Sequence, residues 1–269
     1  MNTVFFSDAA TRGLTRRMAD GDPALYVDFP AFDEMSHEYG PGPEAFGALK
    51  DVDRNLEILL DAADHDQRPY NVVILSDHGQ TGGVHFQDLY GRNLRDHVQS
   101  LLPTGSPEVV SQDFGSAAHL YLGMGPQAAD RSAIRRRYPA LLQQLRTHPG
   151  IAFTVTRQGS STLIEGPAGA VIVTARRTRV VGTDPLAPFG GDPREIHHLA
   201  HREGAGDVMV FGREVNGRLV DFSVLPFRGL HGGFGQGQDV PFVIHPAGMP
   251  LEVERTADLY GQLARQRPH

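Results

Sequence analysis

Apolar and polar residues follow two kinds of pattern along the first part of the chain. Between residues 43 and 63, apolar residues recur at three- and four-residue steps, which predicts an amphipathic helix. Residues 71–75 form an apolar run typical of a parallel strand buried on both faces. Residues 24–29 form an earlier predicted strand that Pro30 ends. Strand, helix and strand in this order predict a βαβ unit with a right-handed crossover.

The pattern after residue 85 is less regular. Short β-branched runs at residues 151–156, 161–165, 170–174 and 178–182 are separated by glycine and polar turns. They predict an antiparallel meander or sheet edge. The other predicted helices span residues 8–20, 94–102, 131–146, 193–201 and 257–266, and the other predicted strands span 117–122, 207–211, 219–224 and 240–244.

Composition narrows the class of protein. A chain of 269 residues with 40% hydrophobic residues is long enough for one large α/β domain. The formal net charge of −7 argues against a nucleic-acid groove, which needs a basic surface. The absence of cysteine excludes disulfides and thiolate metal sites. No apolar stretch approaches the roughly 20 residues of a membrane-spanning helix, so we expect a soluble chain, cytoplasmic by default.

Three segments far apart in sequence contain residues that bind metals. They are Asp33-Glu34-Met35-Ser36-His37, Asp77-His78-Gly79 and His231-Gly232-Gly233, and each follows a predicted strand. Open α/β sheets place their sites at such strand ends. Carboxylate and imidazole groups without thiolates favour a divalent ion such as zinc or manganese. Five ligands exceed one tetrahedral site, which predicts a pair of metals and a hydrolase of phosphoric esters.

Each segment also has a simpler interpretation. Asp33 could cap a short helix and leave His37 on the surface. Asp77 and His78 could form a polar turn that closes a strand. His231 alone could be an ordinary loop histidine. The four-residue spacing of Asp33 and His37 permits convergence on a helix without requiring it.

The order and context of these segments resemble one family. Residues 26–41 contain an Asp-x-x-x-His followed by Gly-Pro, residues 76–81 read Ser-Asp-His-Gly-Gln-Thr, and His231-Gly232 comes late. The chain resembles the type I phosphodiesterase/nucleotide pyrophosphatase family of the alkaline phosphatase superfamily, from about residue 20 onward. The resemblance implies a three-layer α/β sandwich with a largely parallel central sheet. We expect a single incomplete domain of this type over residues 1–269, and the looser pattern after residue 85 predicts a less regular α+β inserted region at about 86–205.

The resemblance also implies a set of ligands. Asp33, His37 and His231 would hold one zinc, and Asp77 and His78 would hold a second. In the family, a serine or threonine nucleophile and a further aspartate precede these motifs. The 32 residues before Asp33 show no apolar strand that ends in an aspartate and is followed by a helix opening with serine or threonine, and Ser7-Asp8 is better explained as a helix N-cap. We therefore expect the N-terminal strands and the nucleophile segment to be missing. The second metal site would then be incomplete, and the activity of this chain weak or absent.

Two other functions remain open from the sequence. One is a non-catalytic fragment that binds a metal or a partner chain with the missing N-terminal half. The other is a phosphomutase-type member of the same superfamily. For the hydrolase, the expected partner is a small molecule with a phosphate ester.

A second histidine-rich group lies at His197, His198 and His201. Residues 197 and 201 would share one face of a helix. No glutamate stands between them in the metalloprotease arrangement, and the surroundings are polar. The sequence therefore favours a surface helix there.

Overall fold

A computed structural model of the protein describes the backbone of residues 2–253 and 255–265, and side chains from Ser7 onward. The chain divides into two compact units, within which most residue contacts fall. The described residues before Gln80 and after Asp239 form the first, called the helical unit. Gln80–Asp239 form a second, called the sheet unit. Each is described by itself. The prediction of a single domain over residues 1–269 stays a prediction.

The helical unit contains α1 (Asn2–Ala19), α2 (Ala31–Tyr39), α3 (Pro43–His65), β1 (Ile74–Leu75), β13 (Val243–Ile244) and α9 (Thr256–Arg265). Helix α3 confirms the amphipathic pattern, since its Leu59 and Ala63 pack with Met18 of α1 in a small core. The helix predicted at 257–266 is confirmed as far as Arg265, because its last residue lies outside the described chain.

The strands predicted for the helical unit are mostly wrong. Residues 24–29 form no strand, although Leu25, Val27 and Phe29 are half-buried against the core while the residues between them are exposed. The strand predicted at 71–75 is reduced to β1, which pairs antiparallel with β13. The side chains alternate as in a strand, but a strand also needs a neighbouring backbone to pair with. The predicted parallel βαβ unit is therefore absent from the described helical unit.

The sheet unit is built around seven strands in the order β3-β4-β9-β5-β6-β7-β8. All these pairs are antiparallel, and β5 to β8 confirm the predicted meander. The strands are β3 (Val110–Phe114), β4 (Ala117–Tyr121), β5 (Ile151–Gln158), β6 (Ser161–Glu165), β7 (Gly169–Val173), β8 (Thr178–Gly182) and β9 (Val208–Gly212). Separate hydrophobic clusters around Leu120 and Phe153 pack against this sheet.

A second sheet of the same unit has the order β10-β11-β2-β12. Its strands are β2 (Thr81–His85), β10 (Glu214–Val215), β11 (Arg218–Asp221) and β12 (Gly229–Leu230). Strands β2 and β11 are the one parallel pair among the described strands. The α/β class is confirmed, but the expected largely parallel pairing is not what the described strands show. The inserted region predicted at about 86–205 lies within this unit and supplies most of its larger sheet.

Five helices of the sheet unit pack against its strands. They are α4 (Phe86–Tyr90), α5 (Leu94–Leu101), α6 (Arg131–Arg137), α7 (Leu141–Thr147) and α8 (Pro193–Ala200). The single helix predicted at 131–146 is divided in two at Tyr138, because Pro139 disfavours helical backbone in the preceding residue. Within the described chain, no helix combines the length and the apolarity that crossing a bilayer requires.

Two half-buried histidines, His97 and His148, pack beside the buried Phe86 of α4. The ring centre of His148 lies 5.1 Å from that of Phe86, on which it stacks, and 4.5 Å from that of His97. Burial, with a smaller contribution from His97, lowers the pKa of His148 to about 4. Burial also lowers the pKa of His97, and the nearby Arg92 adds to that effect. Both shifts favour the neutral form of the ring in the folded protein.

Lowering the pH from 7 to 5 is expected to destabilise the protein partly through His148. The unfolded chain binds a proton at a pKa of about 6.5, whereas folded His148 does so near 4, so stability is lost as the pH falls through this window. In His148→Asn, which keeps an acceptor near the Gly150 N–H, the pH dependence of the unfolding free energy should be shallower. Urea unfolding of both proteins at pH 7 and pH 5 measures this difference in unfolding free energy.

His65 provides the control for this comparison, because it is an exposed histidine at the end of α3. His65→Asn should keep the pH dependence of the wild type. An equally steep loss of stability in the His148 variant would show that this ring does not contribute to the acid sensitivity.

Candidate metal centre

Helix α2 positions the first pair of candidate ligands. Its N-cap residue is Pro30, so Asp33 lies inside the first turn, and His37 follows one turn later. Asp33 Oδ1 and His37 Nε2 are 3.5 Å apart, and both residues are partly exposed. The helix ends at Gly40, whose N–H donates to the Ser36 carbonyl and whose positive φ of 86° favours glycine. The sequence left the conformation of this segment open, and the structure shows a helix that aligns the two side chains.

The second pair follows β1 directly. The Ser76 N–H donates to the Phe242 carbonyl at 3.1 Å, and the Phe242 N–H donates to Ser76 Oγ at 3.0 Å. These two bonds hold the end of the strand against the chain before β13. Asp77 Oδ2 and His78 Nε2 then lie 3.3 Å apart. The Asp77 side chain is 83% exposed and that of His78 is 25% exposed, so the carboxylate is open to solvent while the ring is partly enclosed.

The ring of His78 has a defined orientation. Its Nδ1 lies 3.1 Å from the Gly79 carbonyl oxygen. A carbonyl only accepts, so Nδ1 donates in this contact and Nε2 is the nitrogen turned toward Asp77. Metal-binding histidines typically have their second ring nitrogen fixed in this way.

His231 belongs to the sheet unit and follows β12, which pairs antiparallel with β2. A Cβ atom at Gly115 would lie 2.2 Å from the His231 carbonyl oxygen, so the two backbones are in close contact. The next residue, Gly232, has a φ of 91° that favours glycine. The position of the His231 backbone is therefore determined by glycines at 115 and 232.

Gln238 stabilises the loop after His231 and was missed in the sequence. It is 1% exposed, and its Oε1 accepts the Gly233 N–H at 3.0 Å. Its Nε2 donates to the Phe234 carbonyl at 3.1 Å and contacts Ser116 Oγ at 3.4 Å. A buried amide with these partners fixes a glycine-rich segment that has few side chains to pack. A lone glutamine in such a segment gives no signal from which its burial could be predicted.

Asp221 is a second residue that the sequence did not single out. It is fully buried, and its carboxylate accepts the N–H groups of Ser223 at 2.9 Å and Phe227 at 3.1 Å. Burial raises the pKa of Asp221, while these hydrogen bonds and the neighbouring His85 oppose the rise. The carboxylate therefore shapes the loop that leads from β11 to β12. His85 itself is buried, with Nε2 2.8 Å from the Ser223 carbonyl oxygen, and has a structural contact there.

The two short carboxylate–imidazole pairs fit the dimensions of a metal site. Two ligand atoms bound to one tetrahedral ion at about 2.0–2.1 Å lie about 3.3 Å apart. The observed separations of 3.5 Å and 3.3 Å are close to that value. The donor set of carboxylate oxygen and imidazole nitrogen suits zinc. The assignment of these residues and His231 as metal ligands stays a prediction.

Residues 3–161 match the family described as type I phosphodiesterase / nucleotide pyrophosphatase. The match covers more than half of the 269 residues. The chain belongs to this family. Four candidate ligands, Asp33, His37, Asp77 and His78, lie within the matched residues, and His231 lies beyond them. No curated protein sequence matches this chain.

Two solved structures of murine ectonucleotide pyrophosphatase/phosphodiesterase 5 are similar to this family member. One, an inactive variant in complex with AMP, has a TM-score of 0.52 at 17% sequence identity and covers 87% of this chain and 51% of that chain. The other has a TM-score of 0.50 at 15% identity, covering 87% and 52%. The alkaline phosphatase-like fold is thereby confirmed. The chain spans about half the length of these relatives.

Proposed function

We propose that this phosphodiesterase-family chain is a metal-dependent hydrolase of phosphoric esters that uses two divalent ions, with zinc favoured. The main support is the family match over residues 3–161, which includes four of the five candidate ligands. The short Asp33–His37 and Asp77–His78 separations add a geometric argument.

The residues divide between two ions as the family pattern implies. Asp33, His37 and His231 would hold one zinc, and Asp77 and His78 would hold the other. When bound, such ions stabilise the charge on the oxygens of the phosphoryl group. The chain needs this local positive charge, because its formal net charge of −7 repels an anionic ester. The protein's own part is to hold the ligands in place, through α2, the Ser76–Phe242 bonds and Gln238.

The proposal separates binding from turnover. None of the residues assigned to the site is a serine or threonine that could act as the nucleophile. We therefore expect slow or undetectable hydrolysis by these 269 residues alone, together with metal binding and metal-dependent binding of a phosphate ester. Ester binding is the more direct test of function.

AMP is the probe that the structural neighbour suggests, since one murine relative is in complex with it. We expect the zinc-loaded chain to bind AMP, and binding to be lost when EDTA removes the metal. Adenosine, which lacks the phosphate, should bind at least about tenfold more weakly, because its contacts omit the charged group. Isothermal titration with the intact chain measures all three cases.

The same titration distinguishes the alternatives. AMP binding that is unchanged by EDTA would contradict a metal-dependent ester site. Zinc binding without any AMP binding would favour the non-catalytic metal-binding fragment instead.

A further inference from the structure

Two histidines of α8 lie together on the sheet unit, in a different part of the chain from the five ligands above. His197 is in the last turn of the helix, and His201 is the residue that caps it. Their ring centres are 4.6 Å apart, with ring planes inclined at 55°. Two imidazoles bound to one ion at about 2.0–2.1 Å have ring centres about 5 Å apart. The pair therefore has the spacing of two ligands on a single ion.

Each ring makes a hydrogen bond to strand β6, and the two partners are adjacent residues of that strand. His197 Nδ1 lies 2.8 Å from the hydroxyl oxygen of Thr162. His201 makes a hydrogen bond with the backbone of Ser161. A ring with one nitrogen fixed by such a bond presents the other in a defined direction, which is the usual arrangement around a metal-binding histidine. A surface helix with solvated histidines does not require two such anchors on adjacent residues.

The surroundings keep both imidazoles in the form that binds metals. Burial first, and then the neighbouring His201 and His198, lowers the pKa of His197. Burial and the guanidinium of Arg157 lower the pKa of His201. Neutral imidazole is the ligand form, so a metal does not have to displace a proton at neutral pH. The positive charge of Arg157, whose guanidinium donates to the Ala128 carbonyl, opposes a cation and so limits the affinity of this pair.

The helix itself favours a cation at this position. His201 follows the C-terminal end of α8, where the aligned peptide dipoles place the negative end of the helix dipole. A bound ion would also link residues one turn apart and so stabilise the end of the helix.

We propose that His197 and His201 form a two-imidazole surface site for a borderline divalent transition ion, namely zinc, copper or nickel. Imidazole ligands suit these ions, whereas magnesium and calcium prefer oxygen. Solvent water completes the coordination. The site is independent of the phosphoric-ester hydrolase function and of its ligands.

The test uses the intact chain and Zn²⁺ or Cu²⁺ as probe. In the Asp33→Ala/Asp77→Ala background, which removes a ligand from each proposed hydrolase ion, competition with a chelator measures the remaining zinc affinity. His197→Gln and His201→Gln should each lower that affinity at least about tenfold. Thr162→Val, which removes only the anchor of His197, should lower it by about tenfold.

His198→Gln is the matched control. His198 is an exposed neighbour on the same helix, and its ring centre is 6.2 Å from that of His197. Its substitution should change the affinity less than twofold. The copper-loaded protein should show an electron paramagnetic resonance spectrum with two coordinated nitrogens, reduced to one in either single variant.

Three results would overturn the proposal. They are absence of zinc binding in the background variant, an unchanged affinity in His197→Gln and His201→Gln, or an equal loss in His198→Gln. If the background variant does not fold, the same substitutions are made in the wild type. There, the protein should lose one equivalent of bound zinc in His197→Gln/His201→Gln and keep it in His198→Gln. Zinc kept in the double variant, or lost in His198→Gln, would contradict the site.

Discussion

Asp33→Ala is expected to lower the zinc affinity of the tighter proposed site by more than about 100-fold. Removing a residue that only hydrogen-bonds to a metal ligand already lowers metal affinity about 10- to 100-fold. Asp33 is assigned as a direct ligand, so its loss should lower the affinity further. The alanine side chain leaves His37 on α2 without the carboxylate that lies 3.5 Å from it. Chelator competition with the purified chain measures the change. Asp77→Ala should instead weaken a second ion and spare the first.

Asp28→Ala is the control for both variants. Asp28 is an exposed aspartate of the same helical unit, five residues before Asp33, and it is not assigned to a metal. The Asp28→Ala protein should bind zinc with the affinity of the wild type. Equal zinc affinity in Asp33→Ala and Asp28→Ala would contradict the assignment of Asp33.

Gly115→Ala is expected to destabilise the protein by more than about 2 kcal/mol. Gly115 has a φ of 57°, which costs an L-residue about 1–2 kcal/mol. The new Cβ would also lie 2.2 Å from the His231 carbonyl oxygen, so the backbone of one of the two segments must move. For a protein of this size the loss corresponds to a melting temperature roughly 4–8 °C lower. Because His231 is a proposed ligand, zinc affinity should fall as well.

Gly217→Ala separates the cost of the positive φ from the cost of the contact between the new Cβ and a neighbouring backbone. Gly217 has a similar φ of 75°, but nothing lies within 4 Å of a Cβ built there. This variant should lose only the conformational term of about 1–2 kcal/mol and keep its zinc affinity. Thermal unfolding and chelator competition on both proteins provide the comparison. Equal losses of stability with unchanged zinc affinity would show that the contact of Gly115 with His231 is unimportant.

The sequence predicted elements well where a local period determines them. The three- and four-residue steps of α3 and the short runs of the β5–β8 meander were both confirmed. For residues 24–29 the predicted strand is wrong, although Leu25, Val27 and Phe29 are partly buried. Strand formation depends on a partner backbone elsewhere in the chain, which a local pattern does not reveal.

Glycine and proline account for most of the other differences. Strand β2 contains Gly82 and Gly83 and was not predicted, since glycine is uncommon in strands. A Cβ at Gly83 would meet the Leu230 side chain at 2.1 Å, so the close approach of β12 to β2 requires glycine. Helix α2 lies in a segment with Pro30 and Gly40 at its ends, whose conformation the sequence left open.

The candidate ligands could be identified from the sequence because their residue types and spacing are local features. Asp33 and His37 need only one helical turn, and Asp77 and His78 need only the end of a strand. Gln238 and Asp221 were missed because their burial depends on contacts made in the folded sheet unit. Ser116, for example, is 122 residues away from Gln238.

Zinc X-ray absorption spectroscopy on the zinc-loaded chain tests most directly whether the three distant segments bind metal. The His197→Gln/His201→Gln background removes the proposed surface site from the signal. We predict only nitrogen and oxygen ligands at about 2.0–2.1 Å, with imidazole scattering that decreases in His37→Gln and again when His231→Gln is added. Imidazole scattering that is unchanged in both variants would contradict the account.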